Sequence, residues 1–401
     1  MKPFPESDLK WMRQALALAR RGEGLTRPNP PVGAVLVKNG REIGQGWHRK
    51  AGGPHAEIYA LRQAGKSARG ATLYVTLEPC STFGRTPPCT DAILRAGLGR
   101  IVVGTTDPNP QHAGRGLRLL RKAGLRVDVG ACAGDAAALI APFACRMLRR
   151  RPFITLKLGL SLDGRIADST HSSRWITGPE AREMVQAMRR ASDAIMVGAG
   201  TVRHDNPSLW PRPDGKRNPW RIIVVRQGPL PLSAQVFTDE HVAQTIVAAP
   251  RGWQPALARK IRQTGATVLE LPSRRFLPAL AKELGKLGIL RVLCEGGGIL
   301  AGELIQAGLV DEMCVFLAPM LIGGPVGAMG TTEWRLVHAP RFRLREFRSI
   351  GNDLLVRFDP MEPPGSAGTP RPPVVRPDAS RVGRTLRMNR KTNKSNNRKK
   401  S

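Results

Sequence analysis

No run of about 18 consecutive apolar residues occurs in this 401-residue chain, and Met1 to Arg20 lacks the continuous apolar segment of an export signal. The first absence argues against a membrane-spanning helix, and the second leads us to expect a cytoplasmic protein. Cysteine is scarce, six in the whole chain. Disulfide frameworks belong to short exported chains, so a reducing compartment fits better. Cys132, Cys145, Cys294 and Cys314 are expected to be inert packing residues. Carboxylates are also few, 31 acidic against 63 basic residues, which leaves a formal charge of +32. Such an imbalance points to polyanionic partners, nucleic acid among them.

The length suits two domains, each large enough for its own core, and 41% hydrophobic residues make them globular. Glu362 to Ser401 is different: it holds 11 Lys and Arg against 2 acidic residues, no aromatic residue, and many Pro, Ser and Asn. Residues 361–401 are therefore expected to be a disordered basic tail, with weak nonspecific nucleic-acid contact and no function attached to it. The remainder still carries +23. A positive cleft would concentrate phosphorylated ligands.

Among the residues present, His55-Ala56-Glu57, Glu78-Pro79-Cys80 and Pro88-Cys89 carry the most chemistry. One imidazole and two thiolates give three ligands to a tetrahedral zinc, leaving the fourth position for a water whose pKa the metal lowers. Glu57, two residues after His55, can face that position and move a proton without being a ligand. His-x-Glu followed by Pro-Cys is the signature of zinc nucleobase deaminases. In nucleic-acid deaminases only two residues separate the cysteines. Here eight intervene, Ser81 to Pro88.

That loop and its surroundings resemble one family, the bifunctional riboflavin-biosynthesis deaminase/reductases. The resemblance runs through Pro28-Asn29-Pro30-Pro31-Val32-Gly33, the zinc residues, Gly84-Arg85-Thr86-Pro87-Pro88-Cys89, Asp107-Pro108-Asn109-Pro110 and Ala113-Gly114-Arg115-Gly116, and on to about residue 358. It implies a cytidine-deaminase-like three-layer α/β domain followed by a dihydrofolate-reductase-like domain. It implies one Zn2+ per chain, NADPH, a phosphorylated pyrimidine substrate and a homo-oligomer. The first reaction would be zinc-hydroxide deamination of 2,5-diamino-6-(5-phosphoribosylamino)pyrimidin-4(3H)-one. The second would be NADPH reduction of the ribosyl group of 5-amino-6-(5-phosphoribosylamino)uracil to ribityl. Asn29, His48, Arg85, Asp107 and Asn109 correspond to deaminase substrate contacts. Ser173, Arg189, Leu209, Arg212 and Glu295 correspond to reductase substrate contacts. Gly159, Trp175, Thr201, Asp205, Gly297, Gly298, Ile299, Leu300, Ala301, Gly302 and Glu303 correspond to cofactor contacts. Thr82 stands where histidine is common, His112 where a small apolar residue is common, and Val225-Arg226 where an acidic-then-small pair is common.

Periodicity places these motifs on elements. Leu9, Met12, Leu16 and Ala19 recur at helical spacing. Val32 to Val37 reads as a strand, Asn39-Gly40 as a hairpin turn and Ile43 to Trp47 as the return. A helix is expected over His55 to Ala64, a strand over Ala71 to Leu77 ending at Cys80, and a helix beginning at Cys89. A β-α-β layer, Ile101 to Val129, completes a deaminase domain over residues 1–145. Residues 146–152, with four arginines before Pro152, read as a solvated basic linker.

The second domain, 153–360, is expected to alternate strands and helices in an α/β sheet covered on both faces. Glu180 to Arg190, Ala256 to Thr264 and Ile299 to Ala307 read as helices. Phe153 to Gly159, Ala194 to Val197, Ile222 to Val225, Thr245 to Ala249, Val292 to Cys294 and Met313 to Leu317 read as strands, and Arg341 to Phe358 as a closing antiparallel pair. Gly-x-Gly-x-x-Gly is absent, but Cys294-Glu295-Gly296-Gly297-Gly298-Ile299 is a strand, a glycine turn and a helix start, where free N–H groups suit a pyrophosphate. Arg189 and Arg212 can fork onto phosphate oxygens, and Trp175 offers a flat face to a ring. Lys157 and Glu295 are candidates for steering protons. A nucleic-acid deaminase with an accessory domain, or a non-enzymatic RNA-binding descendant, would also use the charge. The long cysteine spacing opposes the first, and the intact His55, Glu57, Cys80 and Cys89 oppose the second.

Overall fold

The computed structural model describes residues 3–84, 86–213 and 218–361. The N-terminal half contains α1 (Glu6–Arg20), β1 (Gly33–Lys38), β2 (Arg41–Trp47), α2 (Ala56–Ala64), β3 (Thr72–Leu77), α3 (Cys89–Arg95), β4 (Arg100–Thr105), α4 (Arg115–Lys122), β5 (Arg126–Val129), α5 (Ala133–Leu139) and α6 (Ala141–Arg149). Its five strands run in the order β2-β1-β3-β4-β5. The hairpin turns at Asn39 and Gly40, both with positive φ, as a two-residue turn matched to strand twist requires. Alternate side chains feed two apolar layers. Ala34, Leu36, Leu73, Val75 and Ile101 face α2, α3 and α4, while Val35, Val37, Tyr74 and Val102 face α1 and α5. Gly44 and Gly46 set the height of α2: a Cβ at either would meet the α2 backbone, Ala60 O at 2.3 Å or Ala56 O at 2.6 Å. The helix that carries Glu57 therefore lies close against its sheet.

The C-terminal half contains β6 (Phe153–Ser161), α7 (Pro179–Arg190), β7 (Ala194–Gly198), α8 (Ala199–Asp205), β8 (Trp220–Val224), α9 (Gln235–Thr238), β9 (Thr245–Pro250), α10 (Pro255–Gln263), β10 (Thr267–Leu271), α11 (Phe276–Lys286), β11 (Arg291–Cys294), α12 (Gly298–Gln306), β12 (Glu312–Ala318), β13 (Phe342–Ile350) and β14 (Asp353–Pro360). Nine strands lie in the order β10-β9-β8-β7-β11-β6-β12-β14-β13, parallel from β10 to β12 and antiparallel thereafter. Both faces are buried: Ile154, Leu156, Met196 and Ile222 pack under α11 and α12, and Ile195, Val197, Ile223 and Val247 pack with Val202, Ala258 and Ile261. Near-continuous apolar strands follow from that double burial.

Six elements were not anticipated, α5 and α6 of the first half among them. α9 is four residues long, too short to show a period. β10 is an edge strand with an exposed Glu270. α8 starts Ala199-Gly200, and α11 carries Pro278 at its third position, both of which read as breakers although a first turn tolerates proline.

The basic segment before Pro152 is not a solvated linker. α6 continues to Arg149, and Arg149 and Arg151 converge on buried Asp311 at 2.8 and 2.5 Å. Ile154 N–H donates to the same carboxylate at 2.9 Å. Across the seam, Arg27 pairs with Asp193 at 3.3 Å and Arg291 with Glu23 at 3.8 Å. Sequence spacing could not show that Asp311, about 160 residues away, supplies the counter-charge. Among the described residues no helix is long and apolar enough to cross a membrane. The basic tail lies outside the described residues apart from Met361.

Candidate active sites

His55 ends the approach to α2 as its N-cap, Cys80 follows β3, and Cys89 opens α3. Three consecutive elements therefore bring the three side chains to one point. His55 Nδ1 lies 3.2 Å from Cys89 Sγ and 3.4 Å from Cys80 Sγ. All three donor atoms fall within 4.8 Å of one another. A tetrahedral zinc at ordinary bond lengths separates N from S by roughly 3.5 Å and S from S by roughly 3.8 Å, so this donor set fits. The Cys89 backbone N–H also donates to Cys80 Sγ, 3.3 Å away, as oriented amides at a helix start do for a thiolate.

The electrostatics match that function. Hydrogen bonding from Cys89, with help from His55, brings the Cys80 thiol down to about 4 against the cost of burial. The hydrogen bond to Cys80, then burial, raises the Cys89 thiol, and the hydrogen bond with Cys80 lifts His55 to about 9. Protons held by the cluster are those a metal displaces. Glu57 is buried, and burial raises its carboxyl above the usual range. Its Oε2 has no hydrogen-bond partner among the described residues. An unpaired buried carboxylate oxygen is costly, so its place beside three candidate metal ligands points to a waiting polar group.

Around this centre, His48 Nδ1–H donates to Pro54 O at 3.0 Å, and its Nε2, 3.2 Å from Asn29 Nδ2, accepts from that amide. Burial lowers the His48 pKa, so the neutral ring that this pattern needs is the favoured one. Asp107 Oδ1 accepts from Asn109 N–H at 2.8 Å, and burial raises the Asp107 carboxyl. Arg85 lies outside the described residues. Thr82 is half-buried, and Phe83 is 78% exposed. Glu78 was missed as a functional residue, though it stands inside the quoted Glu-Pro-Cys motif. Its buried carboxylate accepts four backbone N–H groups from 107–117. The inert reading of the other cysteines suits the structure: all are free, and burial pushes the Cys145 and Cys294 thiols up to about 12.

In the second half, Arg189 on α7 grips Glu295 with two bonds of 2.6 and 2.9 Å, and its third nitrogen points to Trp210 O. The guanidinium edge that the sequence offered to a phosphate is thus already used. Arg212 is exposed, and its backbone is held by Gln186 and Arg190. Lys157, on β6, is half-buried, and burial lowers its pKa despite the neighbouring Glu295 charge. Trp175 is 67% exposed, so it is no core tryptophan, and the Arg182 guanidinium lies 4.5 Å from its ring centroid. Ser173 Oγ donates to Asp205 Oδ1 at 3.3 Å, joining a residue assigned to substrate with one assigned to cofactor. Leu209 is buried with φ of 58°.

Thr201 abuts the glycine turn: Cβ atoms at Gly296 and Gly297 would lie 3.0 and 3.5 Å from its Oγ1. Gly159 lies beside Thr177 and Lys157. Along Gly297 to Glu303 the residues divide between two faces. Leu300 and Ala301 turn into the core, and Gly298 and Gly302 are covered by residues 327–332, where a Cβ would meet Gly327 O at 2.5 Å or Thr332 Oγ1 at 2.1 Å. Helical periodicity puts only part of a seven-residue run on any one face. Ile299, 62% exposed, and half-buried Glu303 keep access. Arg226 stacks over the Phe276 ring at 5.0 Å.

A His-Cys-Cys donor set with a buried glutamate beside it, on a three-layer domain joined to a doubly covered α/β domain, defines a two-domain chain of the zinc-deaminase class. The two domains match separate family models, the cytidine and deoxycytidylate deaminase zinc-binding region over residues 5–105 and the RibD C-terminal domain over 152–356. The riboflavin biosynthesis proteins RibD of Aquifex aeolicus and Escherichia coli are each 43% identical over 88% of this chain, covering 98% and 99% of their own. A solved Acinetobacter baumannii RibD is 39% identical with a TM-score of 0.78, covering 89% of this chain and 99% of its own. A Thermotoga maritima diaminohydroxyphosphoribosylaminopyrimidine deaminase/5-amino-6-(5-phosphoribosylamino)uracil reductase is 34% identical at the same TM-score and coverage. The chain belongs to the RibD family. It is a bifunctional enzyme of riboflavin biosynthesis, with a zinc-dependent deaminase half and an NADPH-dependent reductase half.

Proposed function

We propose that His55, Cys80 and Cys89 hold the zinc and that Glu57 is the catalytic acid and base of deamination. The substrate is the diaminopyrimidinone carrying a phosphoribosylamino group. The free buried Oε2 of Glu57 carries this reading. When bound, zinc supplies an acidified water as nucleophile. Glu57 would carry the proton from the attacking water to the departing nitrogen at the ring carbon bearing the amine. The carbon–nitrogen bond breaks and ammonia leaves. Asn29, set by neutral His48, and Asp107, Asn109 and Arg85 orient the pyrimidine and its sugar phosphate.

In the second half the opened ribose, as its imine, accepts a hydride. NADPH supplies it when bound. Arg189 fixes Glu295, Lys157 and Glu295 steer protons, and the exposed Arg212 takes the phosphate. Ser173 and Leu209 complete the substrate side. Trp175, Thr201, Asp205, Gly159, the Gly297 turn, Ile299 and Glu303 offer themselves to the cofactor. Domain limits of 1–145 and 153–360 accompany this reading. Free thiols fit a reducing cytoplasm. Edge strand β13, with Leu344 and Phe347 half exposed, supports a homo-oligomer. Purified zinc-loaded protein given the diaminopyrimidinone phosphate should release ammonia and then oxidise NADPH; absence of both signals would remove these residue roles.

A further inference from the structure

Helix α4 begins without a side-chain cap of its own: its N-cap is Gly114, with φ of 72°. The missing acceptor comes from Glu78, the residue after β3. Glu78 Oε1 accepts from Gly116 and Leu117 N–H at 2.8 and 3.4 Å, and Oε2 from Gly114 and Asp107 N–H at 2.8 and 3.1 Å. One buried carboxylate thus satisfies both the exposed end of a helix and the start of the loop that leads to it. The bonding continues through the loop, since Asp107 Oδ1 accepts from Asn109 N–H at 2.8 Å and Asn109 Oδ1 from Gln111 N–H at 3.1 Å. Gly116 permits the approach, because a Cβ there would meet Pro79 O at 2.3 Å. The Ala113-Gly114-Arg115-Gly116 motif acquires a physical purpose: its glycines let the helix start close down on the strand end that leads to Cys80.

We infer that Glu78 is a positioning residue for deamination, seating the 107–116 loop so that Asp107 and Asn109 meet the pyrimidine at a fixed distance from the metal ligands. Its four bonds all go to backbone N–H groups. It rests on the reading of Asp107 and Asn109 as substrate contacts. A carboxylate is required, because an amide in its place turns a donor toward two of the four N–H groups.

The test compares full-length Glu78→Gln, Glu78→Asp and Asn109→Ala with the parent. Readouts are zinc content, deaminase KM and kcat, reductase rate with deaminated substrate, and amide hydrogen exchange over 107–117. Glu78→Gln should keep zinc and the reductase rate, lose exchange protection at Asp107, Gly114, Gly116 and Leu117, and raise the deaminase KM about tenfold or more, the equivalent of roughly 1.4 kcal/mol. Glu78→Asp should fall between parent and Gln. Zinc lost in step with kcat would assign Glu78 to the metal centre's scaffold and overturn the inference. So would an unchanged KM in both Glu78 variants while Asn109→Ala raises it. An unchanged KM in Asn109→Ala would overturn the substrate-loop reading itself.

Discussion

The two halves treat a buried carboxylate in opposite ways. In the deaminase half Glu57 is buried with one oxygen free, beside donors gathered from 35 consecutive residues on three successive elements. In the reductase half both oxygens of Glu295 are bound by Arg189, 106 residues away in the chain. An unpaired oxygen is available to carry a proton. A bidentate ion pair instead fixes geometry and places charge. Side-chain chemistry therefore dominates the first site, and arrangement dominates the second.

The comparison breaks most readily at Glu57. Glu57→Ala should cut ammonia release by about 10²–10⁴-fold while zinc content and reduction of deaminated substrate stay intact. Loss of both activities would mean that the halves are not independent. Next in size is Glu295→Gln, which leaves the buried Arg189 guanidinium without its countercharge. Breaking such a pair costs about 3–5 kcal/mol, so urea unfolding should shift by that amount. An unmoved midpoint would show that the pair holds nothing in place.

Arg212→Ala should raise the reductase KM for its phosphate substrate about tenfold, the loss of one charged hydrogen bond, with the deaminase KM unchanged. An unaltered reductase KM takes Arg212 out of the site. The smallest effect is expected at Lys157. Its folded-state pKa lies below the unfolded value of 10.5, so below that value the unfolded chain binds more protons and the half-buried, desolvated lysine opposes folding. The penalty fades as pH rises toward 10.5. Lys157→Met should therefore melt higher than the parent at neutral pH, with the gap closing in alkali. A gap that widens with pH would reverse the assignment.

Much of the fold was readable because its strands and helices have clear periods. The Asn39-Gly40 turn, the α2 start at His55 and the α3 start at Cys89 all fall where the residues indicate. Reading failed where a partner lay far away. Arg149 and Arg151 looked solvated until the fold supplied Asp311, and Arg189 looked like a phosphate fork until it supplied Glu295. Leu300 and Ala301 turn into the core, as helical periodicity requires of part of such a run.

By itself the sequence determined the metal centre, because zinc accepts few donor types and all three lie on adjacent elements whose boundaries are locally encoded. It also determined that the chain has two cores and a basic excess. Only the tertiary structure decided which charges neutralise one another, which glycines admit a neighbour's backbone, and that Glu78 caps a helix 36 residues ahead. Those outcomes depend on distances between segments remote in sequence, and no local pattern specifies such a distance.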